Sequence, residues 1–168
     1  AALVLEVGVI KKEEKSRFHV LEREEAIYQR LVSENSGPFP PESIRPIFRE
    51  VMSACLSLEK VLHVACLGPD ATFSHIASIQ QFGQAARFIY TKSVADIFDE
   101  VERERADYGV VPIENSTEGV VNLTLDMFIE SPLQICAEVM LEISHSLLCR
   151  HESLEDIRTV YSHPQALA

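Results

Sequence analysis

No run of apolar residues in this chain reaches the ~18 to 20 needed to span a bilayer, and the opening AALVLEVGVIKKEE lacks a signal peptide's basic-then-apolar order. Those absences set aside a membrane-spanning or exported protein and make a cytoplasmic one the expectation. The four cysteines, Cys55, Cys66, Cys136 and Cys149, lie far apart and include no CxxC pair, so no disulfide framework is read from them. They sit in apolar runs such as LQICAEV and are expected to be reduced core residues. Basic residues are scarce: 15 Lys plus Arg face 26 Asp plus Glu, and the net charge of −11 argues against a counterion-releasing grip on nucleic acid or on an anionic membrane. Glycine and proline are too few, at 6 and 8, for a collagen-like or low-complexity chain, and 46% hydrophobic residues exclude disorder throughout.

What is present falls into two parts. Residues 1–60 hold 9 basic and 10 acidic groups, a balance of −1, while residues 61–168 carry −10. This shift marks a boundary near residue 60. Residues 1 to about 15 read as a helix apolar nearly all round, through Leu3, Val4, Leu5, Val7, Val9 and Ile10, which calls for neighbouring helices. Residues 22–35 place Ile27, Leu31 and Val32 on one side with acidic residues in the first turn, where the helix dipole favours them. After SGPFPP, the residues Ile44, Ile47, Phe48, Val51, Met52, Cys55 and Leu58 give a third helix one continuous apolar face, which Pro46 is expected to kink near its start. From residue 61 short apolar runs alternate with helical stretches: VLHVACL, a helix after GPDATFS, RFIY, SVADIFDEVERERA, YGVVPI and a helix at about 119–130. Strand-like runs LQICAEVMLEI and SHSLLCR, a short helix SLEDI and a strand TVYSH follow. The expectation is therefore an all-α unit followed by an α/β unit with parallel strands. The chain opens inside one helical pattern and closes at SHPQALA as another begins, so both ends are expected to be cut.

In open α/β sheets ligands bind beyond the carboxyl ends of the strands, which directs attention to GPDATFS, ENSTEG and SHPQA. Thr72 and Ser74 stand where a helix begins, and serve either as caps or as an anion cradle with the free amides there. Glu114 and Asn115, with Ser116, put a carboxylate and an amide side by side to steer protons or hold a substrate oxygen, or simply cap the next helix. His163 and Gln165 offer a group that titrates near neutrality and an amide, or an ordinary turn. In the helical unit Glu59 continues the track Phe48, Met52, Cys55 onto the apolar face unless it bends into solvent, while Lys11 and Arg23 read by exposure statistics as surface charges.

The runs EVGVIKKEE, LEREEAIYQRL and PESIRPIFREVMSACLSLE resemble the all-helical chorismate mutase domain (type II). LGPDATFSHIA, VVPIENSTEGVV and YSHPQALA resemble prephenate dehydratase. In this order they are similar to the bifunctional enzymes of phenylalanine biosynthesis on the shikimate route. The resemblance implies a multi-domain chain: residues 1–60 a mutase segment lacking the first half of its first helix, and residues 61–168 the first α/β lobe of a periplasmic-binding-protein-like dehydratase. It implies that Lys11 holds a substrate carboxylate and the ether oxygen, that Glu59 donates a hydrogen bond to that oxygen, and that Arg23 and Glu24 face ligand. In the lobe it assigns Glu114, Asn115 and Gln165 to catalysis and Thr72, Ser74, Ser116 and His163 to substrate. Val20 departs from an acidic residue found in some members. The carboxylate-clamping arginines of the first helix, the Thr-Arg-Asp motif with the catalytic threonine, and the regulatory phenylalanine-binding domain lie outside these 168 residues.

By the same resemblance the substrates are chorismate and prephenate, no metal or organic cofactor takes part, and the protein is a homodimer or higher homo-oligomer through helix one. With one wall of the cleft, the chain alone is expected to turn prephenate over negligibly. Two other readings stay open: a non-catalytic remnant that binds a dicarboxylate or regulates, and a helical dimerisation module with an unrelated α/β attachment and no affinity for prephenate.

Overall fold

The computed structural model describes residues 2–13, 20–115, 119–150 and 153–162. The first part is three helices, α1 (Ala2–Glu13), α2 (Leu21–Glu34) and α3 (Pro41–Glu59). Helix α2 has Glu22 and Glu24 in its first turn and buries Tyr28, over whose ring the Arg45 guanidinium of α3 lies 4.5 Å away. Helix α3 begins with proline at its first position, where the missing N–H costs nothing, and continues unbroken past Pro46. Contrary to the expectation of an enclosed first helix, α1 leaves Leu3, Leu5, Val9 and Ile10 more than half exposed.

The second part is built on β1 (His63–Leu67), α4 (Phe73–Phe82), β2 (Arg87–Thr91), α5 (Val94–Glu102) and β3 (Tyr108–Val110), the order of the sequence pattern. The strands form one parallel sheet in the order β2-β1-β3, with Val64 beside both Phe88 and Tyr108. Strand β1 is central and its Val64, Ala65 and Cys66 are fully buried, as a strand covered on both faces requires. One face packs Val64 with Leu62 and Phe82, and the other packs Ala65 with Ile97 of α5 and Ala106. Gly109 lets α5 rest on the β3 backbone, since a Cβ there would lie 2.6 Å from Ile97 Cγ2. Ser93 and Asp96 close α5 with a reciprocal capping box. A short antiparallel pair, β4 (Glu114–Asn115) and β5 (Gly119–Val120), then leads into α6 (Asn122–Glu130).

Helix α3 serves both parts. Arg49, Ser53, Leu56 and Lys60 recur at four, three and four residues, a stripe one residue round from Phe48, Met52, Cys55 and Glu59. Helix α4 ends with carbonyls that have no partner of their own, and the stripe supplies donors: Arg49 Nη1 reaches Gln80 O at 3.2 Å and Ser53 Oγ reaches Phe82 O at 2.7 Å. Glu50 Oε2 accepts from Gln84 N at 2.9 Å, and Leu56 joins the Leu62, Val64 and Phe82 cluster. Gly83 ends α4 with φ +73°, and a Cβ there would lie 2.5 Å from Ser53 Cβ, so glycine is required both by conformation and by the closeness of α3.

Several expectations fail beyond residue 130. LQICAEVMLEI, SHSLLCR and the described part of TVYSH form no strand; residues 131–149 have no regular secondary structure, and SLEDI is one 3-10 turn, Leu154–Asp156, capped by Ser153. Apolar alternation suits a strand but does not make one without a neighbour to complete a ladder, and no neighbour is present among the described residues. Ile135, Met140 and Leu148 are accordingly 70%, 80% and 90% exposed. The cysteine expectation also divides. Cys66 is buried and Cys55 half-buried, but Cys136 and Cys149 are exposed because the run that was to bury them has no sheet to join.

Asp107 ties the sheet to the end of α3. Its carboxylate accepts from His63 N at 2.9 Å and pairs with the Lys60 ammonium. Burial alone would raise its pKa, but the His63 N–H and the Lys60 charge outweigh burial and hold the carboxyl below its ordinary value. A depressed carboxyl adds stability that is complete above the ordinary aspartate value and is lost as pH falls through the lowered one. Asp107→Asn should cost about 1 kcal/mol at neutral pH and much less near about pH 3. Urea unfolding at the two pH values checks this, and an equal loss at both would contradict it.

Candidate functional site

In the helical part, Gly8 sets the geometry. It is buried on α1 where α3 passes, and a Cβ there would lie 3.2 Å from Glu59 Cβ, so the two helices approach at this point through the absence of a side chain. One turn further along α1, Lys11 Nζ meets Glu59 Oε2 at 2.7 Å, with side chains 21% and 10% exposed. Glu59 therefore stays on the helical face instead of bending into solvent, and Lys11 is no ordinary surface lysine. Arg23 is exposed on α2. Glu24 is half-buried and lines a groove of about 540 Å³ with Tyr28, Arg45, Arg49 and Gln80, a lining that includes neither Lys11 nor Glu59. The Tyr28 hydroxyl there is pushed up to about 12, by burial first and by the Glu24 charge second.

In the α/β part, Thr72 caps α4 and also bridges back to the strand before it. Its Oγ1 accepts from His75 N at 3.3 Å and donates to Leu67 O at 2.8 Å. Ser74 stands half-buried in the first turn of α4. Glu114, exposed, and Asn115, half-buried, follow β3 and are held by pairing with Val120 and Gly119. Behind them the fully buried Thr124 donates to Pro112 O at 2.7 Å, and Val121 N donates to Ile113 O at 2.9 Å, which anchors the VVPIEN stretch to α6. Ser116, His163 and Gln165 lie outside the described residues. The structure thus brings Lys11 to Glu59 and sets Glu114 beside Asn115, and it places Thr72 and Ser74 beyond the end of β1.

A cluster that the sequence reading missed stands at the same edge. The buried His75 ring presents Nδ1 to Asp70 Oδ1 at 2.7 Å and Nε2 to the Tyr90 hydroxyl at 3.2 Å, and its edge meets the Phe88 ring. Tyr90 also reaches Asp70 Oδ1 at 3.3 Å. Desolvation and the Asp70 charge raise the Tyr90 pKa, so the phenol remains a donor at neutral pH. Ala71 adopts φ +63°, a strained conformation for a residue with a Cβ, and its N–H is held by Asp70 Oδ1 at 2.8 Å. The signal in the sequence was an aspartate after Gly-Pro with a histidine five residues later. Tyr90 joins them only through the sheet register, which sets it beside Cys66. Among the described residues no group of three or more His, Cys, Asp or Glu is placed to hold a metal ion, and no helix is long and apolar enough to cross a membrane.

Comparison with known proteins agrees with this division. The prephenate dehydratase family profile matches residues 64–168, and that of chorismate mutase type II matches residues 1–60. A bifunctional chorismate mutase/prephenate dehydratase of Aquifex aeolicus is 47% identical over 172 residues, covering 100% of this chain and 48% of that protein. One from Neisseria gonorrhoeae is 49% identical over 148 residues, covering 88% and 41%, and one from Escherichia coli K12 is 32% identical over 181 residues, covering 97% and 47%. The chain spans about half the length of the curated relatives it matches. A solved prephenate dehydratase from Streptococcus mutans is 29% identical and aligns with 41% of this chain and 36% of its own at a TM-score of 0.39.

The seat of Lys11 on Glu59 depends on Gly8. Gly8→Ile should push α1 off α3, cost about 1 to 3 kcal/mol and separate the ion pair. Chemical denaturation of the variant measures this; unchanged stability would mean that α1 does not rest on α3 there.

Proposed function

We propose, from a chain that belongs to the prephenate dehydratase family and carries a chorismate mutase type II segment ahead of it, that the protein serves phenylalanine biosynthesis twice. Residues 1–60 take part in rearranging chorismate to prephenate. Residues 61–168 take part in converting prephenate to phenylpyruvate, carbon dioxide and water. The observation that carries the reading is the Lys11–Glu59 contact: an ammonium and a carboxylate 48 residues apart meet at 2.7 Å between two helices, in the segment that matches a mutase. The α/β lobe beside it carries polar turns beyond its parallel strands, where such folds bind ligands.

The first reaction is pericyclic. Its catalyst holds a compact conformer and stabilises negative charge on the ether oxygen as the bond to it breaks, with no proton transferred. Lys11 is suited to that charge. Glu59 must carry a proton to help, because an ether oxygen only accepts hydrogen bonds and an ionised carboxylate also only accepts. On binding, the substrate takes the ammonium that Glu59 holds in the free chain. In the second reaction the carboxylate carbon leaves as carbon dioxide, its bonding electrons complete the aromatic ring, and the ring hydroxyl departs with a proton as water. Glu114 and Asn115 orient the substrate and its leaving hydroxyl, and by the family resemblance Gln165 shares in catalysis and Ser116 and His163 in binding substrate. Thr72 and Ser74 face the acidic groups of the substrate at the α4 start. Arg23 and Glu24 complete the mutase surface.

The same reading makes the protein a dimer through α1, whose exposed Leu3, Leu5, Val9 and Ile10 need a cover, with a second copy as the occupant. It places both activities in the cytoplasm, where small soluble acids are the substrates.

The test uses the whole protein. Glu59→Ala should lower mutase turnover by about 10² to 10³. Glu59→Gln, which keeps a donor, should retain most of the activity. A Gln variant as slow as Glu59→Ala would contradict the role as donor. In the dehydratase assay, which follows phenylpyruvate absorbance in base, Asn115→Ala should lower kcat more than it raises KM. A change in KM alone would contradict a role in the transition state. Sedimentation as a monomer at micromolar concentration would contradict the α1 dimer.

A further inference from the structure

The turn that leaves β1 is fastened from the neighbouring strand. Residues 68–72 cross the tip of β2, where Gly68 N donates to Thr91 O at 2.9 Å and a Cβ on Gly68 would lie 2.8 Å from Tyr90 Cβ. Tyr90 stands next to last in β2, its ring edge-on to the His75 imidazole with centroids 5.2 Å apart. The hydrogen bonds of the cluster run in one direction. His75 Nδ1 meets Asp70 Oδ1 at 2.7 Å, and a carboxylate only accepts, so in the neutral imidazole this nitrogen carries the hydrogen. Nε2 then holds a lone pair and accepts from the Tyr90 hydroxyl at 3.2 Å. At the end of the chain of bonds Asp70 Oδ1 accepts the Ala71 N–H at 2.8 Å. Ala71 bends the turn at φ +63°, and the next residue is Thr72, whose hydroxyl returns to Leu67 O and whose backbone starts α4.

We infer that Tyr90 is a positioning residue of the dehydratase site, acting through His75 and Asp70 on the turn that presents Thr72 and Ser74 to prephenate. A residue with a Cβ keeps a positive φ only where its surroundings fix it, and Asp70 is the group that holds Ala71 there. The Asp70 side chain is 75% exposed, so water competes for it unless a second group aims it. That group is His75, which is buried against Phe88 and directs its Nδ1–H at the carboxylate. The Tyr90 hydroxyl keeps the hydrogen on Nδ1 by donating to the other nitrogen. Without it the hydrogen is free to move to Nε2, and Asp70 then faces a lone pair instead of a donor. Ala71 relaxes toward negative φ, and Thr72 and Ser74 turn with it. Tyr90 touches no reacting atom in this role. It sets the turn before substrate arrives, so its effect belongs to binding. The inference rests on the reading of Thr72 and Ser74 as substrate residues.

Tyr90→Phe, Ala71→Gly and the double variant, each in the whole protein and assayed with prephenate, test it. KM does not depend on how much of a preparation is folded, so it reads the site directly. Tyr90→Phe should raise KM about five- to tenfold and leave dehydratase kcat within about twofold, with the mutase constants on chorismate unchanged. Glycine adopts a positive φ with no Cβ to strain, so Ala71→Gly alone should leave KM within about twofold of the parent. In the double variant it should bring KM back to within about twofold of the parent, a rescue that a general loss of stability would not show. An unchanged KM in Tyr90→Phe, a fall in kcat with KM unmoved, or a double variant no better than Tyr90→Phe would each overturn the inference. Thr72→Val run alongside separates the two claims: an unchanged KM there would remove the reading of the turn as a substrate site, whereas a raised KM there with none in Tyr90→Phe would overturn the inference alone.

Discussion

The architecture depends on how α4 ends. A ten-residue helix leaves its last carbonyls without partners, and here the missing donors come from a different part of the chain. Ser53 and Arg49 supply them, Gly83 makes room, and Leu56 follows them into the cluster around Val64 and Phe82. The composition shift near residue 60 is therefore a boundary in sequence but not in packing. Residues 1–60 and 61–168 share α3, and any description of either as a separate body has to assign that helix twice.

From this joint the two polar sites follow by rigid geometry. On the sheet, central β1 is covered on both faces, and the polar turn stands beyond its carboxyl end. There Thr72 bridges Leu67 to α4, while the strained Ala71 is held by Asp70. On the helices, Gly8 brings α1 onto α3 closely enough for Lys11 to reach Glu59. The turn beyond β1 is set on a strand whose two faces are committed to the core, whereas the Lys11–Glu59 pair is held where α1 meets α3.

Much of this was legible in the sequence, for identifiable reasons. The three helices, the alternation of strands and helices from 63 to 110, and the placing of Thr72 at a helix start all follow from local periodicity and capping, which need no distant partner. Glu59 was legible as a carboxylate on an apolar face, but exposure statistics left Lys11 a surface cation; only the resemblance set both at one oxygen, and Gly8 supplies the physical reason by letting α1 come close. Asp70, His75 and Tyr90 meet only through the parallel register of β1 with β2, and Gly83 carries meaning only beside Ser53. The strands expected after residue 130 show the opposite error. Their alternation is real, but a strand is a relation between two segments, and the second is missing among the described residues.

Native-state hydrogen exchange on the whole protein tests most directly whether α3 belongs to both parts. The account predicts that the amides of α3 from Arg49 to Glu59 open together with those of α4 and β1, with one common free energy and one common response to denaturant. Exchange of those α3 amides through an opening of the helical part alone, while α4 and β1 stay protected, would contradict it.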